Sequence, residues 1–455
     1  MGRLLRRGVN LTFLVQAAAL RQRSMSSLSA RAKSETVEAM EVLLAMSPED
    51  YARAFGAGGL GFAYAGSFAG RNIEKIYEWG GLRGSLEAAV RGALGGATRH
   101  ALVAGGFYVL HGLGGNDGRA PGVAAGSCET DGPLGALAVL RAFAARGTMV
   151  SLYAEAHNGP VLAAGYDAML SFYAERDPAF HARLLSHTRC LPYAAPPSDA
   201  ADGGAAAAPA DRARRTCEDL RESLRAAWAG GDGDDEETTP AVDCLFAVER
   251  LGAPYRNIRG HDISEHTEPV DCLWPLAEPR DAAAAAAVAD FARTNGFDGA
   301  STLADLRRLA GVAPDALSLG VGDGGNEVGM GKVVLEPRLA ALSPSGGDFA
   351  ALGETGTFRT ADHLLAATVS NWGGTAFEAA ADVLLPPDVP YGGHVDVEEA
   401  VLDAIMEAPH ASVDGKYAGR PKSVDGLAWD PYHRTFYADL WALACGGAKE
   451  PRPGA

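Results

Sequence analysis

A short apolar run, residues 317–321, opens straight into the segment SLGVGDGGNEVGMGKV (318–333), where glycines at 320, 322, 324, 325, 329 and 331 surround Asp323, Asn326 and Glu327. Glycine permits positive φ and close backbone approach, but at an entropic cost, so this density is unusual in a plain turn. Placed after a buried strand, such a loop directs amides and polar side chains into one small volume. Two carboxylates and an amide within five residues suit a hard divalent cation, Mg²⁺ or Mn²⁺. Lys332, just after the loop, is a candidate for a substrate carboxylate. The plainer alternative is a tight turn whose acids cap the next helix.

The rest of the pattern predicts an α/β fold: a largely parallel or mixed sheet flanked by helices, interrupted by two low-order insertions. Residues 101–110 read as a buried strand ending in a glycine-rich loop, 133–146 as a helix closed by Gly147, and 148–153 as the next strand. Strand, loop, helix and strand form a βαβ unit and hence parallel pairing. Helices are also expected over 35–55, 73–98, 282–295 and 303–309, and short strands over 241–249 and 317–321. Residues 199–240 and 343–356 are rich in Ala, Gly, Asp and Ser and read as flexible insertions, with a helix expected at most over 217–228.

Two generic motifs overlap the glycine loop. Gly320, Gly322 and Gly325 satisfy GxGxxG, but no acid closes a second strand about 20 residues on, and Asp323 would repel a pyrophosphate. GDGGNE also resembles the magnesium loop of haloacid-dehalogenase phosphatases. The DxD nucleophile pair those enzymes need exists only as Asp232 and Asp234, inside the first insertion.

Four further constellations stand out. CETDGP places Glu129 and Asp131 before a turn that opens a helix, either as caps or as a second carboxylate pair at the sheet's carboxyl edge. Cys128 beside them has no identifiable activating base. The segment 248–271 holds Glu249, Arg250, Arg256, Asn257, Arg259, His261, Asp262 and His266; arginine forks there could bind carboxylates. SNWGG presents Asn371, and two VDG triplets present Asp414 and Asp425.

Composition narrows the class. The chain has 455 residues, 47% hydrophobic and 21% charged, with a formal net charge of -17. That acidity disfavours a nucleic-acid partner, and no run of 18 apolar residues spans a membrane. The six cysteines show no zinc-type spacing and are expected to be reduced. Residues 1–34 are arginine- and serine-rich without an acid, which matches an organelle transit peptide, mitochondrial or alternatively chloroplast. The expected organisation is a transit peptide (1–34), a catalytic domain (35–445) and a disordered tail (446–455), with homo-oligomerisation left open.

Taken in order, ETDGP, VER…YRNIRGHDIS, GVGDGGNEVGMGKV, SNWG and SVDG resemble the catalytic domain of the D-glutamate cyclase family. The resemblance covers roughly 35–444 apart from the insertions, and lacks the extra N-terminal domain of animal mitochondrial members. It implies cyclisation of a small-molecule substrate, D-glutamate, to 5-oxo-D-proline and water. The expected roles are metal ligation by Asp323 and Glu327, with Asp131 and Glu129 as ligands or general base. Asn326 is expected to stabilise the oxyanion, and Lys332 or Arg259 to hold the α-carboxylate. Asn257, Asn371 and Asp425 complete the expected substrate contacts. The rival classes are a metal-dependent phosphohydrolase and a non-catalytic binding protein for acidic amino acids.

Overall fold

The computed structural model of the chain describes residues 29–45, 73–96, 98–106, 109–110, 127–156, 158–191, 208–229, 240–257, 260, 262–264, 267–295, 302–341, 351–408, 422–425 and 427–445. The glycine-rich loop at 112–118, Asp232, Asp234, Arg259, His261, His266, Asp414 and the tail lie outside these residues, as do residues 1–28.

Six strands form the central sheet: β1 (His100–Gly105), β2 (Met149–Tyr153), β3 (Thr188–Cys190), β4 (Val242–Val248), β5 (Val312–Gly322) and β6 (His363–Ala366). Every pairing is parallel, and the order is β3-β2-β1-β4-β5-β6. The chain therefore builds outward from β1 to one edge, returns, and builds from β4 to the other. Open sheets of this kind bind ligands beyond the carboxyl ends of the strands, where the winding reverses. Here that point lies between β1 and β4.

The helices that matter are α1 (Ala30–Leu44), α2 (Ser85–Leu94), α3 (Pro133–Ala144), α4 (Gly159–Arg176), α5 (Pro209–Trp228), α6 (Leu303–Leu309), α7 (Ser370–Leu384), α8 (His394–Glu407) and α9 (Arg434–Ala444). Strand side chains alternate between two cores, as the two-residue period requires. Ala101, Val103, Cys244, Phe246 and Val321 join the helices α1–α4 and α7–α9 on one face. Leu102, Ala104, Leu245 and Ala247 join α5, α6 and the short 3₁₀ turn Val270–Leu273 on the other. Burial on both faces explains why the strands read as continuous apolar runs.

One expectation is corrected. Residues 209–228 are not part of a low-order insertion. They form the helix covering the second face, through buried Ala213, Cys217, Leu220 and Leu224. Its spacing is helical, but arginines and acids between these residues hide it. Helix α1 starts at Ala30 behind the Ser29 cap and buries Val37, Met40, Leu43 and Leu44. The 303–309 helix and the βαβ unit stand where expected.

Candidate active site

Five carboxylates converge at the carboxyl edge of the sheet. Asp323 follows β5 directly and is shared by two groupings, Asp131–Asp323–Asp425 and Glu249–Asp323–Glu327. Within each grouping one oxygen per residue lies within 4.8 Å of the others. Asp131, Glu249, Asp323 and Glu327 are all buried, and Asp425 partly so. Two of the five sit on left-handed backbone, Glu249 at φ 51 and Asp425 at φ 50. Non-glycine residues hold that conformation at a cost of roughly 1–3 kcal/mol, and such strain concentrates at functional sites. Burial pushes the Glu249 carboxyl well above the ordinary carboxylate range, and the charges of Asp323, Glu327 and Asp131 push it further. Ser370 Oγ donates a hydrogen bond to it in partial compensation.

The glycine loop is built to return over its own strand. A Cβ on Gly320 would lie 2.3 Å from the Val328 carbonyl oxygen, and one on Gly322 would lie 2.7 Å from the Glu327 Cβ. Glu327 thus folds back across β5, where the backbone N–H groups of Gly324 (3.1 Å) and Gly325 (2.8 Å) donate to its carboxylate. The far end of the loop is pinned by N–H donation from Gly329 and Gly331 to the Arg359 carbonyl, at 3.0 and 2.9 Å. The helix that follows is one turn long, Gly331–Val334. A dinucleotide site needs a full helix at that position, so the GxGxxG match has no structural counterpart here.

Asp131 reaches the cluster from the start of α3. Its carboxylate accepts from the backbone N–H groups of Ser370 (3.1 Å) and Asn371 (2.9 Å), the first residues of α7. Asn371 returns the favour: its Oδ1 accepts from the N–H groups of Gly132 and Gly135 at 2.8 and 2.9 Å. The segment carrying Asp425 is held by Thr130 Oγ1, which donates to the Ser423 carbonyl at 3.1 Å. It is also held by His433 Nε2, which donates to the Val424 carbonyl at 3.1 Å, while His433 Nδ1 accepts from Trp372 at 2.9 Å.

Residues 64–292 and 294–441 match the family described as D-glutamate cyclase-like, C-terminal. The chain belongs to that family. It is also similar to the human protein named D-glutamate cyclase, mitochondrial, at 31% identity over 166 residues, or 36% of this chain. The matched stretch covers 20% of that relative's length.

In this D-glutamate cyclase-like domain, four of the expected site residues meet in the cluster: Asp131, Asp323, Glu327 and Asp425. Glu129 is half-buried and outside both groupings. Asn326 is fully buried, and its Nδ2 donates to the Arg256 carbonyl at 2.7 Å, so it ties the loop to the segment that includes Asn257. That tie is the contact its geometry shows. Asn371 is likewise committed to the backbone, since its Nδ2 donates to the Thr130 carbonyl at 2.9 Å. Lys332 is exposed, and its charge acts on His363 at the start of β6, the amino end of that strand. Arg259 lies outside the described residues. Glu249 was named only as one polar residue in a dense segment. Its position at the carboxyl end of a predicted apolar strand is the available signal.

Proposed function

We propose that the domain cyclises D-glutamate to 5-oxo-D-proline and water at the carboxylate cluster, within a mitochondrial setting like that named for the human relative. The observation that carries this reading is the pair of carboxylate groupings sharing Asp323 at the winding reversal of the sheet, in a chain of this family. The donor set is all oxygen, anionic and largely buried, which fits Mg²⁺ or Mn²⁺ and not a soft metal. Asp131, Asp323 and Asp425, or Glu249, Asp323 and Glu327, would hold such an ion. When bound, it would withdraw charge from the substrate γ-carboxylate and its departing oxygen.

The reaction forms one C–N bond and breaks one C–O bond. The α-ammonium gives up two protons, one to become a neutral nucleophile and one as the lactam forms; nearby carboxylates would carry both to the departing oxygen, which leaves as water. Glu129, half-buried and two residues from Asp131 in sequence, would make the first transfer. Burial around Asp323 and Glu327 would exclude bulk water and strengthen the charge interactions there. Holding the substrate curled supplies a further part of the rate through proximity.

A proton NMR time course with D-glutamate and Mg²⁺ or Mn²⁺ tests the reading, with L-glutamate and EDTA as controls. The expected result is 5-oxoproline from the D enantiomer only, abolished by EDTA. Absence of product from folded protein with either enantiomer would overturn it.

A further inference from the structure

Away from the site, one pair of thiols meets across two elements. Cys217 on α5 and Cys272 in the 3₁₀ turn Val270–Leu273 lie with their sulfurs 3.6 Å apart, although 55 residues separate them in sequence. Each is 1% exposed and both are free thiols. Most core cysteines pack as small hydrophobes. This pair instead sits sulfur to sulfur, and the remaining distance to a bond is about 1.6 Å.

We propose that Cys217 and Cys272 are a site of reversible disulfide formation, with a hydroperoxide as oxidant. Cys217 attacks the peroxide oxygen, becoming a sulfenic acid and releasing the alcohol or water. The Cys272 sulfur then attacks the Cys217 sulfur. The S–S bond forms, the S–O bond breaks, and the hydroxyl leaves as water with the Cys272 proton. Each sulfur loses one electron and the peroxide O–O bond gains both. The hydrogen bond to Cys217, then burial, raise the Cys272 thiol well above its ordinary range, and the same products result if the two thiols exchange roles.

The bond would not be isolated from the site. Asp271, next to Cys272, accepts from Ala253 N–H at 3.1 Å, Tyr255 O–H at 2.6 Å and Arg359 Nε at 3.1 Å. The Arg359 carbonyl in turn anchors Gly329 and Gly331 at the end of the glycine loop. Drawing Cys272 toward α5 therefore pulls on the support of the acidic loop.

The test uses purified full-length protein without reductant, treated with hydrogen peroxide, then denatured, alkylated and peptide-mapped. No substrate is needed, so the outcome is independent of the proposed activity. The expected result is a Cys217–Cys272 linked peptide about 2 Da lighter than the two free peptides, reversed by dithiothreitol. A rise of several degrees in Tm should accompany it, absent in Cys217→Ser and in Cys272→Ala. Recovery of both thiols in alkylated form, under treatment that oxidises the half-buried Cys190 and Cys445, would overturn the proposal and leave a thiol–thiol contact only.

Discussion

Asp131 and Asn371 cap each other's helices: the Asp131 carboxylate accepts the first N–H groups of α7, and the Asn371 amide oxygen accepts two N–H groups at the start of α3. Each side chain thus satisfies donors that a helix amino end leaves without intrahelical partners. The exchange requires the two helix starts to touch. A Cβ on Gly374 would lie 2.3 Å from the Gly135 carbonyl oxygen, and one on Gly135 would lie 2.9 Å from the Asn371 Cα. The negative charge of Asp131 is thereby held at a helix amino end, where the dipole favours it, while it faces Asp323.

Replacing Asn371 with Ala should destabilise the fold by about 2 kcal/mol, because two buried N–H groups lose their acceptor at once. Urea unfolding measures this. An effect under about 0.5 kcal/mol would mean the exchange contributes nothing.

Gly374→Ala should cost more, about 3 kcal/mol, since the added methyl meets backbone that cannot yield by a rotamer change. Ala376→Gly, at a buried position of the same helix, should cost about 1 kcal/mol in helix propensity together with the loss of a buried methyl. The comparison is made by thermal and urea unfolding.

Arg141 is fully buried in α3 and pairs bidentately with Glu378 at 2.8 Å, while also donating to Glu398. Removing it by Arg141→Ala strands two acids and should cost about 3–5 kcal/mol. Burial raises Glu398 to about 7, whereas burial of Glu378 is outweighed by Arg141, which leaves it at about 2. A carboxyl near 7 is already substantially protonated at neutral pH, so Glu398→Gln should cost only about 1 kcal/mol.

His433 predicts an acid-sensitive fold. Burial lowers it to about 4 from its ordinary 6.5. A depressed value means its stabilising contribution is fully present above pH 6.5 and is lost as pH falls through 4, up to about 3 kcal/mol in total. Protonation would also remove Nδ1 as the acceptor for Trp372 and loosen the segment that delivers Asp425. The imidazole ring signals should therefore stay those of a neutral ring at pH 5, and the pH slope of stability between 6.5 and 4 should flatten in His433→Gln.

Much of the architecture was legible because strand and helix periods are local properties. The apolar run at 101–110, the helix opened by Pro133 and the strand at 148–153 announced a parallel unit. The glycine loop announced Asp323 and Glu327. What escaped was long-range. Nothing local shows that Asn371 faces Gly132, more than 230 residues earlier, rather than a ligand. Lys332 follows the loop in sequence, yet it is exposed whereas Asp323 and Glu327 are buried. Helix 209–228 was masked by charge, because an amphipathic helix over a sheet needs only one buried stripe. Glu249 was legible in principle, as an acid at the carboxyl end of an apolar strand.

The most direct test of the account is the effect of Asp323→Asn on two quantities in one preparation: the rate of 5-oxoproline formation from D-glutamate, and apo-protein stability with and without Mn²⁺. The account predicts a rate loss of about 100-fold or more. It also predicts an apo protein more stable than wild type by about 1 kcal/mol, because one of several crowded charges is gone, with stabilisation by Mn²⁺ abolished. A variant that turns over within about two-fold of wild type and keeps its Mn²⁺ response would contradict the placement of the chemistry at Asp323.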